Sequence, residues 1–384
     1  MQAFESVASV ADQVFDPVLG LVGEAGLLAV AALVAIGLLA AWYAYRRYRE
    51  TPGTAIQRVL AKRDSVTLLL HPNPDPDAMA AAMGLSRLAE DVDTETDIVY
   101  PGEIRHQENR AFRTVLELDA DQIGGADEIG DEVVLVDHNT PRGFQGANDL
   151  DPIAVVDHHP GDGEGRKFTD VRPEYGACAT LVVEYLQNRG FHFTEEDEEP
   201  FLDDTEATGL LYGILADTNH LTRGPTSAEF EASAALYPGT DPDLLDRVAN
   251  PEMDAEVLDV KARAIQERQV QTPFVVSPVG ELSNVDAIPQ AAEELLQLEG
   301  TTAVVVTGKK DGTLHLSGRS RDDRVHMGSV LKDVVEDIPM ASAGGHARMG
   351  GGQISIEHMD GLASDGVTIA DLHDRLFDAM AGDF

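Results

Sequence analysis

The stretch "IAVVDHHPGDG", residues 153–163, decides how this chain reads. A short, continuous apolar run ends abruptly in Asp157, His158 and His159, then breaks into a glycine-bearing turn. Such a run is the mark of a strand buried on both faces, as in a parallel sheet. Three groups able to bind metal or move protons are costly to place at the mouth of a buried strand. They form part of a catalytic metal site, or they are a polar turn that happens to contain histidine. Taken alone, the stretch leaves the two readings level.

The same arrangement recurs along the chain. "SVTLLL" (65–70) runs into "HPNPDPDAM", delivering His71, Asp75 and Asp77. "EVVLV" (132–136) runs into Asp137, and the helix-like "GLLYGILAD" ends on Asp217. Any one of these aspartates is a fair cap or turn residue, and "NPDPD" alone reads as a loop. Four such ends are hard to dismiss. On adjacent parallel strands they converge on one edge of the sheet, where open α/β sheets bind their ligands. Carboxylates with a few histidines are wrong for structural zinc and suit Mn²⁺ or a similar divalent ion. Two ions held about 3.5–4 Å apart need a bridging carboxylate.

Between these runs lie helix-like segments such as "DAMAAAMGLSRLAE" (77–90) and "ATLVVEYLQNRG" (179–190). The alternation predicts a doubly wound, mainly parallel α/β sheet domain over residues 51–230. An acidic helical linker is expected over 231–290. The runs "TTAVVVTG", "TLHLSGRS" and "GGQISIEH" predict a smaller C-terminal α/β domain over 291–384.

Ahead of both lies "AGLLAVAALVAIGLLAAWYAY" (25–45), which carries no charge and is followed by "RRYRE". About 20 apolar residues suffice for a helix to cross a bilayer. The basic residues after it place the rest of the chain in the cytoplasm. Residues 1–50 are therefore expected to hold one transmembrane helix, a single-pass anchor in the cell membrane. A cleaved signal peptide has the opposite charge order.

The 384-residue chain carries 28 basic against 68 acidic residues, a net charge of -40. Disorder is excluded by a hydrophobic content of 43% that falls in well-spaced runs. An acid-coated folded protein from a salt-loving microbe, an archaeon, fits this composition, because the Debye length shrinks to about 3 Å at 1 M salt. The charge argues against long-range capture of a nucleic-acid duplex. It leaves short oligonucleotides open, since arginines and metal ions act at short range. Cys178, the single cysteine, excludes a disulfide framework and a multi-cysteine zinc site and is expected to be a packing residue.

"HPNPDPDA", "LVDHN", "VVDHH" and "GILADT" resemble, in order, the four motifs of the DHH phosphoesterase family. "SAGGHARMGGG" (342–352) resembles the glycine- and histidine-rich motif of the DHH-associated C-terminal domain. The resemblance runs from about residue 60 to the C-terminus. It implies that His71 and Asp75 hold one Mn²⁺, that Asp77, His158 and Asp217 hold the other, and that Asp137 bridges them, with Mg²⁺ or Co²⁺ as substitutes. It places Asp157 in support and aims His159 at the substrate phosphate. Gly344, Gly345 and His346 would bind nucleotide phosphate, with Arg319 and Arg348 as further phosphate contacts or ordinary surface ion pairs. Asn219 stands where the family often has glycine, and asparagine also tolerates a left-handed backbone. His138 and His220 match no family ligand and are expected behind the ligands or at the surface.

The chemistry implied is metal-assisted phosphodiester hydrolysis, a bridging hydroxide attacking phosphorus in line. The leading expectation is a membrane-anchored phosphodiesterase of cyclic or linear dinucleotides or short oligonucleotides. A RecJ-like single-strand exonuclease, a phosphatase of 3′-phosphoadenosine 5′-phosphate and a tethered nucleotide sensor are the alternatives. Dimerisation is common among such relatives, and the anchor is compatible with a homodimer.

Overall fold

The computed structural model describes residues 29, 32–42, 50–194, 200–322, 324–359 and 367–382. The expected membrane span over 25–45 lies largely outside them. Residues 32–42 are helical and exposed, and among the described residues no helix is long and apolar enough to cross a membrane.

The chain divides into two compact units, the first ending at Val248 and the second running from Ala249, with residues 105–111 joining the second. The first unit is built on six parallel strands in the order β3-β2-β1-β4-β5-β6. These are β1 (Ser65–Leu69), β2 (Glu95–Pro101), β3 (Asp121–Ile123), β4 (Val133–Val136), β5 (Ala154–Asp157) and β6 (Phe168–Val171). β4 and β5 are wholly buried, which is why their sequences are continuous apolar runs. The strand order reverses between β1 and β4, and the chain leaves both at their carboxyl ends. That crevice is the topological switch point of the sheet.

One face of the sheet is covered by the helix Pro76–Glu90, which is buried almost all round because the helices Cys178–Asn188 and Asp204–Asp217 pack on it. The close fit depends on small residues: a Cβ on Gly213 would lie 2.6 Å from that of Ala80. On the other face Leu69, Val99, Leu135 and Val155 pack beneath Ile129, Phe144 and Leu150.

The second unit has a mixed sheet in the order β11-β12-β10-β9-β8-β7. Its strands are β7 (Gln269–Gln271), β8 (Phe274–Glu281), β9 (Ala303–Lys310), β10 (Thr313–Ser320), β11 (Ser342–Gly345) and β12 (Met349–Ser355). Only β8 and β9 run parallel. Side chains of β9 alternate strictly: Val304 and Val306 pack with the helices Ala255–Glu267 and Ala287–Leu296. Ala303 and Val305 pack with the helices Met327–Val335 and Ile369–Ala381 on the other face.

The stretch 231–290, expected as a helical linker, is divided between the two units. Residues up to Val248 stay with the first unit, while Ala255–Glu267, β7 and β8 belong to the second. "FVVSPVGE" is a strand whose proline and glycine coincide with a register shift against β9.

The hairpin β11–β12 sits tightly on the helix Met327–Val335. A Cβ on Gly328 would fall 2.4 Å from the carbonyl oxygen of Gly345. Gly328→Ala is therefore expected to destabilise the second unit by about 1–3 kcal/mol. Thermal or denaturant unfolding checks this, and an unchanged midpoint would contradict it.

Candidate active site

At the carboxyl edge of the first sheet the ends of β1, β4 and β5 and the end of the helix Asp204–Asp217 bring their polar residues together. Ligand atoms cluster into the groups His71–Asp75–Asp137 and Asp77–His158–Asp217, with Asp137, His158 and His159 forming a third set. Asp137 stands at the centre and is 1% exposed. One of its carboxylate oxygens lies 3.5 Å from His71 Nε2, the other 3.4 Å from His158 Nε2.

Local structure fixes each member. Asp137 follows β4 with a φ of 61°, a strained left-handed conformation for a buried side chain that turns its carboxylate into the crevice. Asp75 caps the helix Pro76–Glu90, accepting from the Ala78 N–H at 3.0 Å while its second oxygen lies 3.6 Å from His71 Nε2. Asp77 accepts from the N–H groups of Cys178 (2.6 Å) and Ala179 (2.8 Å), at the amino end of the helix Cys178–Asn188. Asp217 closes its own helix, after which Asn219, His220 and Leu221 all take positive φ. Asparagine thus occupies the left-handed position at 219, with a φ of 48°.

The histidines are set in one tautomeric sense. His71 Nδ1 donates to the carbonyl of Pro72 and His158 Nδ1 to the carbonyl of Tyr175, each at 3.1 Å. Their Nε2 atoms are left facing carboxylates, an arrangement typical of metal-binding imidazoles. His158 Nε2 meets Asp77, Asp137 and Asp217 at 3.8, 3.4 and 3.4 Å. His158 Nε2 and Asp137 Oδ1 are both buried without a hydrogen-bond partner. With Nδ1 committed as the donor, a buried Nε2 facing a buried carboxylate needs a proton or a metal cation between them.

The electrostatics agree. Burial opposes protonation of both imidazoles, yet the aspartates facing them outweigh it and push His71 to about 11 and His158 to about 10, so without a metal ion both rings hold a proton. Burial, reinforced by Asp75 and Asp137 and opposed by His158, pushes Asp217 up to about 6. Asp77 is driven up by burial and by the charge of Asp137. Asp137 itself, despite burial, is held low by the two histidines. Carboxylates crowded this way call for cations, and the donor set suits a hard-to-borderline divalent ion.

Asp157 and His159 stand apart from the two main groups. Asp157 is fully buried and accepts from Asn139 Nδ2 (2.7 Å), His159 N–H (3.0 Å) and His159 Nδ1 (3.0 Å). With Nδ1 engaged and its side chain 54% exposed, His159 turns Nε2 outward. That hydrogen bond to Asp157, partly offset by burial, raises the His159 imidazole above its ordinary value. His138 is buried and lowered to about 4 by burial, its Nδ1 bonded to the Val136 carbonyl, while His220 is exposed.

Asn139, Glu229 and the main chain of Tyr175–Ala179 carry positioning roles that the sequence does not signal, where Cys178 reads only as a packing residue. Asn139 bridges the loops after β4 and β5, donating also to the His159 carbonyl. The glycines of "PGDG" make room for it: a Cβ on Gly163 would fall 1.5 Å from the Asn139 carbonyl oxygen. Tyr175–Ala179 offers a carbonyl to His158 and two N–H groups to Asp77, while the Gly176 N–H donates to Glu229 at 2.9 Å. Glu229 is fully buried, and its other oxygen accepts from Thr226 N–H (2.6 Å) and Oγ1 (2.8 Å). Cys178 is a buried packing residue, its thiol pushed up by burial.

The remaining candidates lie in the second unit. Gly344 and Gly345 are on β11, and His346 opens the hairpin loop, exposed, with its N–H donating to Met349 O at 2.8 Å. Gly345, with a φ of 148°, is required by hairpin packing, whereas a Cβ at Gly344 would meet open space. Arg319 is engaged by Glu293 at 3.0 Å, and the Arg348 carbonyl accepts from Ser320 N–H.

Fold and site define an open α/β domain with a carboxylate–imidazole centre, suited to divalent ions, at the switch point of its sheet. The chain belongs to the DHH family of phosphoesterases: residues 65–214 match its N-terminal domain and residues 271–365 match the DHHA1 domain. It is 36% identical over 272 residues to an uncharacterised protein of Methanocaldococcus jannaschii, covering 70% of this chain and 55% of that protein. With the cyclic-di-AMP phosphodiesterase GdpP of Geobacillus thermodenitrificans it shares 25% identity over 327 residues, covering 78% of this chain and 46% of the enzyme. The chain thus spans about half the length of these curated relatives. Among solved structures, an exopolyphosphatase-related protein from Bacteroides fragilis shares the fold, with a TM-score of 0.61 at 15% identity, covering 85% of this chain and 94% of that one.

Glu229→Gln replaces a carboxylate that accepts on both oxygens by an amide that accepts on one. It is expected to loosen Tyr175–Ala179 and weaken Mn²⁺ affinity about tenfold or more. Titration calorimetry reads this, and wild-type affinity would contradict the positioning role.

Proposed function

We propose that the chain hydrolyses the phosphodiester bonds of small nucleotides, cyclic or linear dinucleotides first among them. The observation that carries the reading is the Asp137 carboxylate, buried between two imidazoles with one oxygen facing each. Divalent ions, Mn²⁺ in first place, would supply Lewis-acid charge at the phosphate and an activated water. A probable manganese-dependent inorganic pyrophosphatase of Deinococcus radiodurans, 30% identical over 175 residues, supports that choice of metal.

The chain's own residues divide the remaining work. His71, Asp75 and Asp137 form one holding group; Asp77, His158 and Asp217 form the other. Asp157 fixes the ring of His159, whose outward Nε2 meets a phosphate oxygen and assists the leaving oxygen. We assign nucleotide phosphate contacts to Gly344 and His346 at the open edge of β11. Small nucleotides are favoured by the DHHA1 domain and by relatives named as cyclic-di-AMP phosphodiesterases. Residues 25–45 serve, in this proposal, as a membrane tether that keeps both units in the cytoplasm. The acid-rich surface suits a cytoplasm of molar salt.

The test uses the full chain in detergent, with Mn²⁺ and molar KCl. Cyclic di-AMP, pApA, 3′-phosphoadenosine 5′-phosphate and a labelled single strand are offered in turn. Release of mononucleotide from a dinucleotide is expected, to be lost with chelator and restored by Mn²⁺. Processive digestion of the long strand, or inertness toward every substrate, would overturn the proposal. Asp137→Ala is expected to abolish turnover, a loss of about 10³-fold or more.

A further inference from the structure

The chain has six lysines, and only Lys62 and Lys167 fall in the first unit. Both line the same cavity, of about 700 Å³. It lies beside the helix Pro52–Leu60 and the starts of β4 and β6, at the amino edge of the sheet whose carboxyl edge carries the metal-ligand groups. Arg58 and Arg63 line it too, each tied to a carboxylate, Glu50 and Glu132 respectively. Val59 and Phe168 supply apolar wall. Among the described residues neither lysine's ammonium group has a hydrogen bond or an ion pair, in a chain with 68 acidic residues to choose from.

Arg58 lies in the last turn of the helix Pro52–Leu60, and Lys62 and Arg63 come just after its carboxyl end, where cations complement the dipole. That accounts for three of the four. Lys167 comes from a distant part of the sequence, and with Glu50 and Glu132 of the same lining already engaged by the two arginines, the two lysines remain as its uncompensated charges. A bound anion compensates them.

We propose that this cavity binds a phosphate group, gripped by Lys62 and Lys167. The helix bordering it follows closely on the apolar run and "RRYRE" in the sequence, which favours an anionic phospholipid headgroup as the source. A soluble phosphate ester is the other source of the same chemistry. In molar salt the Debye length is about 3 Å, so long-range attraction is screened and only direct contact inside a walled cavity survives. The lipid source rests on the tethered reading of residues 25–45; the phosphate site does not.

The experiment measures acylation rates of all six lysines by mass spectrometry, on the full chain in nanodiscs and in molar KCl. Discs of neutral phosphatidylcholine are compared with discs containing phosphatidylglycerol, and inorganic phosphate is added to the neutral discs in a third arm. In the anionic discs Lys62 and Lys167 are expected to slow about fivefold, as for a site filled at several times its dissociation constant. Lys261, Lys309, Lys310 and Lys332 are expected to keep their rates. Protection of the same pair by inorganic phosphate alone assigns the soluble source; no protection in either arm overturns the site. Capture of the chain by neutral discs reads the tether separately. Lys62→Gln is expected to abolish protection at Lys167 while leaving hydrolysis unchanged, and undiminished protection there would overturn the shared site.

Discussion

A single carboxylate organises this molecule. Asp137 is buried at the end of β4, in a left-handed backbone conformation, with an imidazole nitrogen 3.4–3.5 Å from each of its oxygens. Those separations are long for hydrogen bonds and about what two ligands of one octahedral ion require, roughly 3 Å. The parallel sheet exists, in functional terms, to bring β1, β4 and β5 to that point. The strain at Asp137 and its close approach to two imidazoles persist because the surrounding elements over-determine them.

Around this centre the work of positioning falls mainly on backbone groups. Carbonyls of Pro72 and Tyr175 set the histidines, and N–H groups of Cys178 and Ala179 hold Asp77. This explains what was legible in the sequence and what was not. The ligands announce themselves because charged side chains at the ends of apolar runs violate the usual pattern. Tyr175–Ala179 acts through main-chain atoms, which leave no side-chain signature. Glu229 and Asn139 look like ordinary surface polar residues until the fold buries one and bridges two loops with the other. The edge strands β3 and β6 and the strands β7 and β8 escaped for a different reason. They are short or half-exposed, and β8 carries a proline and a glycine amid acidic helical sequence.

The glycine-rich motif of the second unit shows how one sequence signal mixes causes. Gly345 answers to packing against Gly328, whereas at Gly344 there is room for a side chain. Arg319, read as a phosphate contact or an ion pair, is engaged with Glu293. In the first unit the two lysines invert the pattern of an acid-rich chain, being scarce residues gathered at one cavity with no side-chain partner among the described residues.

The central claim is that Asp137 joins two metal sites, and Mn²⁺ stoichiometry tests it most directly. Equilibrium dialysis with electron paramagnetic resonance on the full chain should give two Mn²⁺ per chain, magnetically coupled. Asp137→Asn should bind fewer ions and lose the coupling. A wild type that never exceeds one ion, or an Asp137→Asn variant that keeps a coupled pair, would contradict the account.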